Sequence, residues 1–352
     1  MGLFSPSKVP VVGIDISSTA VKLLQLSRVG NRYRIDHYGV EPLPPHAVIE
    51  KNIIEAETVG EAIKRALTRS GSKAKHAAVA VSGSAVITKV ISMPADLDGD
   101  VMEEQVQFEA ANHIPFPIDE VSLDFEVLGP VPSNPENVHV ILAASRTEHV
   151  ELRQQALDLG GLTAKVVDVE VFALENAFRL VAEQLGLGKE AIVALIDVGS
   201  TTTILNVFRG GRSIYAREQV FGGKQLTDEI MRRYGMSYQE AEIAKHQGGL
   251  PESYEPEVLE PFKEAMVYQI SRLLQFFYAG SEFNRVDRIV VAGGCASIVG
   301  IDLLVEEYLG IATVVANPFA NMGLGPRVQA HALQQVAPSL MIAFGLALRS
   351  FD

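Results

Sequence analysis

The chain has 352 residues, 47% of them apolar and 21% charged, which is ample for a core and excludes global disorder. Its formal net charge of −13 excludes the clustered basic footprint that nucleic-acid binding requires. The single cysteine, Cys295, excludes an internal disulfide and a cysteine-built metal site, and it suits a reducing cytoplasm.

From the start of the chain, Gly2 has Pro6 where a myristoylation site needs Ser or Thr. The apolar run 9–16 is short and carries Asp15, so it is not read as a secretory signal. Three consecutive strands are expected at 10–16, 20–28 and 32–41, then an amphipathic helix at 58–70 and a strand at 76–82. A block at 85–163 reads as an insertion with its own pattern: strand 86–93, helix 100–112, strands 121–128 and 137–145, and helix 147–159. Pro115 and Pro117, then Pro130, Pro132 and Pro135, punctuate it and predict loops. A strand at 163–169 and a helix at 170–186 complete the first lobe (1–84 and 164–189). A second run of three strands opens at 191, helices fill 224–280, and a strand at 288–292 runs into Gly293-Gly294. A helix at 338–349 ends the chain. The second lobe is thus expected at 190–223 and 287–352, with a helical subdomain at 224–286. Alternating strands and helices predict an α/β architecture. No segment is expected to span a membrane, so membrane contact is expected only through a partner.

The chain begins twice. Residues 11–22 read VVGIDISSTAVK and residues 193–204 read VALIDVGSTTTI. Each is an apolar strand, an Asp, an apolar residue, small residues rich in Ser, Thr or Gly, and a second strand. Such a repeat implies two similar lobes facing across a cleft. Small residues between strands let backbone N–H groups cradle phosphate oxygens, and Ser and Thr hydroxyls add donors. Asp15 and Asp197, ending the incoming strands, are suited to holding the waters of a hydrated Mg2+. A single copy would read as an ordinary hairpin turn; two copies point to a polyphosphate clamp.

With these residues in hand, the chain resembles the actin-like ATPase superfamily, which includes actin, the cell-division protein FtsA, sugar kinases and heat-shock chaperones. That resemblance implies the actin-like (ribonuclease H-like) two-lobed fold and ATP with Mg2+ as cofactors. The first phosphate loop would be Asp15, Ser17, Ser18 and Thr19, with Lys22 reaching the phosphates as a point charge or remaining a solvated strand lysine. Ser17 stands where many relatives carry Gly, which would strain a turn that needs positive φ. The second loop would be Asp197, Gly199, Ser200, Thr201 and Thr202. Gly222-Gly223-Lys224 opens a stretch similar to one near the nucleotide. Glu242 and Lys245 match a ribose- and base-contacting helix, or form a helical ion pair; Ser237 and Glu240 form its capping box. Gly293, Gly294 and Cys295 match the adenosine loop, with Cys295 read as a packed thiol. Asp168 and Glu170, at the lobe connection, are the only candidates for orienting a hydrolytic water. Small residues at 343–347 are expected to allow close packing of the last helix.

Within the superfamily the match narrows to the type IV pilus assembly PilM family. Its marks are the opening GIDISSTAVKLLQLS, the segment EAANHIPFP at 109–117 followed by residues 121–125, and Asn317-Pro318-Phe319. The insertion falls where FtsA carries its extra subdomain. The resemblance implies a cytoplasmic adaptor, peripheral to the inner membrane. It would dock the N-terminal cytoplasmic tail of PilN and so join the alignment complex of PilN, PilO and PilP in pilus assembly and twitching motility, with a second copy of itself as a further partner. Ile114, Phe116 and Ile118 either line a peptide groove or form the insert's own core. ATP binding is the expectation; slow hydrolysis stays open. The alternative is a small-molecule kinase of the sugar-kinase branch, although no segment clearly supplies a substrate pocket and a catalytic Asp. A chaperone-type ATPase is expected to lack room for its appended domain after Asp352, and an FtsA-like membrane tether lacks a basic amphipathic helix at 339–352.

Overall fold

A computed structural model describes residues 10–97 and 99–352; Gly2, Pro6 and Val9, considered above, lie outside the described residues. The first lobe opens with the meander β1 (Val11–Ile16), β2 (Ala20–Val29) and β3 (Arg32–Pro42). A two-residue hairpin, β4 (Val48–Ile49) and β5 (Asn52–Ile53), leads to α1 (Ala56–Ser70) and β6 (His76–Val81). The insert holds β7 (Val86–Pro94), α2 (Gly99–Ala110), β8 (Val121–Val131) and β9 (Asn134–Arg146). Then come α3 (Thr147–Leu159), β10 (Thr163–Val169) and α4 (Glu170–Gln184).

The second lobe repeats the plan with β11 (Ile192–Val198), β12 (Thr202–Arg209) and β13 (Arg212–Val220), then α5 (Gly223–Tyr234), α6 (Tyr238–Gln247) and α7 (Glu260–Gly280). The chain continues through β14 (Arg288–Ala292), α8 (Ile301–Leu309), β15 (Thr313–Val315), β16 (Gly323–Leu324), which returns to pair with β3 of the first sheet, α9 (Ala330–Val336) and α10 (Met341–Leu348).

The internal repeat is visible in the sheets. The first is ordered β10-β6-β1-β2-β3-β16 and the second β13-β12-β11-β14-β15. Read from its meander outward, each places an antiparallel three-strand unit beside two parallel strands. The central strand β1 is buried throughout, as a strand covered on both faces must be.

Two helices join the lobes. α4 leaves the first sheet yet stacks Phe178 on Phe208 of β12, with ring centroids 4.2 Å apart. α10 follows the second sheet yet lies against β1, where a Cβ on Gly13 would sit 2.2 Å from the Ala343 carbonyl oxygen. The helices cross at Gly345, whose Cβ would fall 1.8 Å from the Ala173 carbonyl oxygen. The small residues expected here are therefore demanded by backbone contact. The run Ala330–Phe351 is long and apolar enough by length and composition alone to cross a bilayer, but 67% of its apolar 18-residue window is buried inside the protein. Its apolarity is that of a core helix packed on both lobes.

The insert is smaller than its sequence pattern suggests. Helix α3 buries Ala156 and Leu157 in the first-lobe core with Val59, Ile63 and Val79. We therefore draw the insert at 86–146 rather than 85–163, because α3 caps the first sheet. The β7-β9-β8 sheet packs Val140, Leu142 and Ala144 on Met102 and Val106 of α2. Ile114 joins this core and Ile118 packs on it, whereas Phe116 stays 37% exposed with the Arg146 guanidinium 4.9 Å above its ring. Pro130 and Pro135 lie within strands instead of breaking them. β8 is an edge strand, and Pro135 lies beyond the stretch of β9 that pairs with β7, so neither proline interrupts a doubly paired ladder.

Candidate functional site

At the end of β1 the antiparallel register sets Asp15 opposite Lys22 of β2. Lys22 Nζ donates to Asp15 Oδ2 at 3.0 Å, and the pair is largely buried. The turn between them is closed by Ser17, whose N–H and hydroxyl both donate to the Ala20 carbonyl. Among the described residues only Glu50 and Lys51 are non-glycines with positive φ. Ser17 is thus unstrained, and its hydroxyl is engaged within the turn, donating to the Ala20 carbonyl and accepting Ala20 N–H, rather than offered to a phosphate. The Thr19 carbonyl accepts from Leu43 N–H.

The second hairpin is built alike. Gly199 N–H donates to the Thr202 carbonyl at 2.9 Å, and the carbonyls of Gly199 and Ser200 accept from Gly223 and Lys224 N–H. A Cβ on Gly222 would sit 2.4 Å from the Ser200 carbonyl oxygen, so Gly222-Gly223 serves to pack α5 against this turn. The Lys224 ammonium is directed to Asp228 at 2.6 Å, an exposed pair one helical turn on, rather than toward the cleft.

The two hairpins meet. Ser18 Oγ lies 3.3 Å from Thr201 Oγ1. Burial disfavours the Lys22 charge, but Asp15 and then Asp197 outweigh it and hold the ammonium above its ordinary pKa. The Asp197 carboxyl is raised by burial, against the pull of Lys22 and Lys51.

On the far side of Asp15 sits a pair that sequence reasoning half missed. Glu170, at the start of α4, accepts from Lys51 Nζ at 2.6 Å, and both side chains are buried. Burial raises the Glu170 pKa, with Lys51 opposing. Lys51 is kept charged despite burial, chiefly by Glu170. It belongs to the β4–β5 turn, where Glu50 and Lys51 take φ of 47° and 63°. That is the geometry of a two-residue primed turn, usually filled by Asn-Gly. Arg153 of α3 holds the turn: only 2% exposed, it donates Nη2 to the Lys51 carbonyl at 3.1 Å, Nε to Ala80 and Nη1 to His149 carbonyls. An arginine on the apolar stripe of 147–159 was the available signal for this role; nothing local marked Lys51.

Asp168 is engaged elsewhere. Its Oδ1 accepts its neighbour Val169 N–H and its Oδ2 accepts Arg349 Nε at 2.7 Å, anchoring the chain's last turn on β10. It is a structural ion-pair partner and not free to orient a water; of the two candidate carboxylates only Glu170 joins the cleft cluster.

Opposite the turns, Gly293 has φ of 86°, and a Cβ there would lie 2.3 Å from the Val198 carbonyl oxygen and 2.7 Å from Asp197 Oδ1. Gly294 faces open space. Burial pushes the Cys295 thiol up to about 12, and its Sγ lies 3.5 Å from the Gly199 carbonyl oxygen, so it is a packing residue as expected. The expected capping box of α6 is formed by Ser237 and Glu240. Glu242 and Lys245 do form an ion pair, at 2.5 Å, but it is three-quarters or more buried. Thr227 of α5 bonds both partners, with Lys245 Nζ 2.8 Å from its hydroxyl, so the pair locks two helices together beside the adenosine-type loop.

The family described as type IV pilus assembly protein PilM matches residues 13–351. The chain belongs to this family. A solved structure described as a PilM-PilN type IV pilus biogenesis complex is 29% identical, covers 98% of this chain and 99% of its own, and superposes with a TM-score of 0.80. The ethanolamine utilization protein EutJ from Carboxydothermus hydrogenoformans (14% identity, 99% and 91% coverage, TM-score 0.55) and MreB5 of Spiroplasma citri bound to ADP (13%, 97% and 95%, 0.50) share the fold. The PilM family thus has here an actin-like, two-lobed α/β fold, as its resemblance implied, and this chain is a pilus assembly family member.

Proposed function

We propose that the chain binds Mg-ATP between its lobes and acts as a cytoplasmic adaptor that docks the N-terminal tail of PilN, peripheral to the inner membrane. The observation that carries the nucleotide reading is the meeting of two Ser/Thr turns, Ser18 against Thr201, in front of two carboxylates that share Lys22. The residues fit a triphosphate: turn hydroxyls and N–H groups for its oxygens, Lys22 for its charge, and Gly293-Gly294 where a side chain on Gly293 would collide with Asp197. Among the described residues no group of three His, Cys, Asp or Glu side chains is placed to hold a metal directly. Asp15 and Asp197 therefore suit a cation that keeps its waters, and Mg2+ supplies neutralisation of phosphate charge when bound.

The docking reading is supported by the likeness to the PilM-PilN complex over nearly the whole chain. The insert also leaves Phe108 67%, Phe116 37% and Leu128 39% exposed, apolar surface of the kind an extended or helical peptide covers. Through PilN the chain would join the alignment complex and support twitching motility. Titrating a fluorescent PilN tail peptide into the full chain, with and without Mg-ATP, tests the proposal. Saturable binding that weakens at least tenfold in Phe108→Ser and Phe116→Ser is expected. A tail that binds the double variant as tightly as the native chain rejects docking on the insert, and absent Mg-ATP binding in calorimetry rejects the nucleotide reading.

A further inference from the structure

The charged groups lining the cleft form one connected set, with Asp197 coupled to both Lys22 and Lys51. Asp197 touches the region of Gly293 and lies among the charges around Cys295, together with Lys245 and Glu242. Next come Lys22 and Asp15, between the two turns. Lys51 and Glu170 stand beyond the turns: Glu170 has Lys51, Asp15 and Arg153 as its charged neighbours, and Lys51 feels Glu218 and Asp197 besides Glu170. A nucleotide laid with its base at Gly293-Gly294 and its phosphates between the turns therefore presents its last phosphate to Lys51.

The chain holds Lys51 in this position at a cost. Glu50 and Lys51 both occupy left-handed backbone that non-glycine residues avoid, with φ of 47° and 63°. Such conformations persist where the surroundings impose them, and here a buried arginine spends one of its donors on the Lys51 carbonyl. A surface hairpin would need neither. The device fixes the root of a long side chain and leaves its ammonium facing the cleft, paired for now with Glu170.

We propose that Lys51 is the specificity-determining residue that distinguishes ATP from ADP, by exchanging its pairing with Glu170 for the terminal phosphate. This rests on the nucleotide reading above. In the exchange no bond is made or broken covalently: the ammonium moves from one anion to another, and Glu170 is released as a free carboxylate beside the terminal phosphate. A triphosphate therefore alters the contact between the β4–β5 turn and the start of α4, and through α4 the relation of the lobes.

Calorimetric titration of the full chain with Mg-ADP and with a non-hydrolysable Mg-ATP analogue separates the outcomes. The native chain is expected to bind the triphosphate at least tenfold more tightly than the diphosphate. Lys51→Met should lose that preference while holding Mg-ADP within twofold of native, and Lys51→Arg should recover part of it. Glu170→Gln, which removes the competing anion without removing Lys51, should tighten triphosphate binding severalfold, and by more than it changes ADP binding. If Lys51→Met, folded by circular dichroism, keeps the native preference, or if Glu170→Gln weakens both nucleotides alike, the assignment of Lys51 is wrong although the nucleotide reading stands. If the native chain binds neither nucleotide, both are wrong.

Discussion

Ser18 and Thr201, 183 positions apart, bring their hydroxyls within 3.3 Å of each other at the tips of the two repeated hairpins. On the nucleotide reading proposed above, phosphates between the turns would replace this hydroxyl–hydroxyl contact with contacts of their own. Hydrogen exchange read on peptides covering 17–20 and 199–202 should show both segments gaining protection together when Mg-ATP binds. Protection of one segment alone would mean that the turns do not grip the same ligand.

Asp197 carries a burial penalty on its charged form. Burial raises its pKa, so the folded state holds the proton more tightly than the unfolded state. A group shifted this way favours folding at acid pH, and that contribution is lost as pH climbs past the ordinary carboxylate value of about 4 and through the raised folded value. Asp197→Asn should thus gain stability relative to the native chain as pH rises above about 4 in metal-free buffer, seen as a widening gap in urea midpoints, while losing Mg-ATP binding. Equal pH profiles for the two proteins would show that Asp197 is not desolvated.

The strained turn makes a separate prediction. Asn tolerates left-handed backbone better than Glu, so Glu50→Asn should stabilise the chain by up to about 1 kcal/mol without touching the Lys51 ammonium. Urea denaturation gives the sign directly; a loss of stability would mean that Glu50 makes an interaction worth more than its strain.

The crossing of α4 and α10 leaves no room at Gly345, where a Cβ would fall 1.8 Å from a backbone oxygen. Neither helix can yield alone, because each packs on the other lobe's sheet. Gly345→Ala should cost about 3 kcal/mol or more, the upper range for overpacking a core. A thermal midpoint unchanged by this substitution would show that the helices separate freely.

Cys295 should ignore thiol reagents. With its pKa pushed up to about 12 by burial, almost no thiolate exists at pH 8. Reaction with an aromatic disulfide reagent is expected only after unfolding; fast labelling of the native chain would place Cys295 in open cleft.

The sequence by itself determined the order of elements and the duplicated hairpin with its two Ser/Thr turns. Strand and helix periods and turn chemistry are local, and two copies of one local pattern report each other. The Asp15–Lys22 pairing follows from the register of a tight two-strand turn, but the sequence alone offers Lys22 a phosphate or solvent and not this carboxylate. Only the tertiary structure decided which charges meet. Lys51 finds Glu170 from 119 positions away and Arg349 finds Asp168 from 181, so one carboxylate of an adjacent, similar-looking pair enters the cleft while the other anchors the chain's end. The fold likewise gave α3 to the first lobe, since its buried face, carrying Arg153, had to cover the first sheet. Burial of a charge is tolerable only where a partner waits, and partners brought by a crossover leave no trace in the neighbouring sequence.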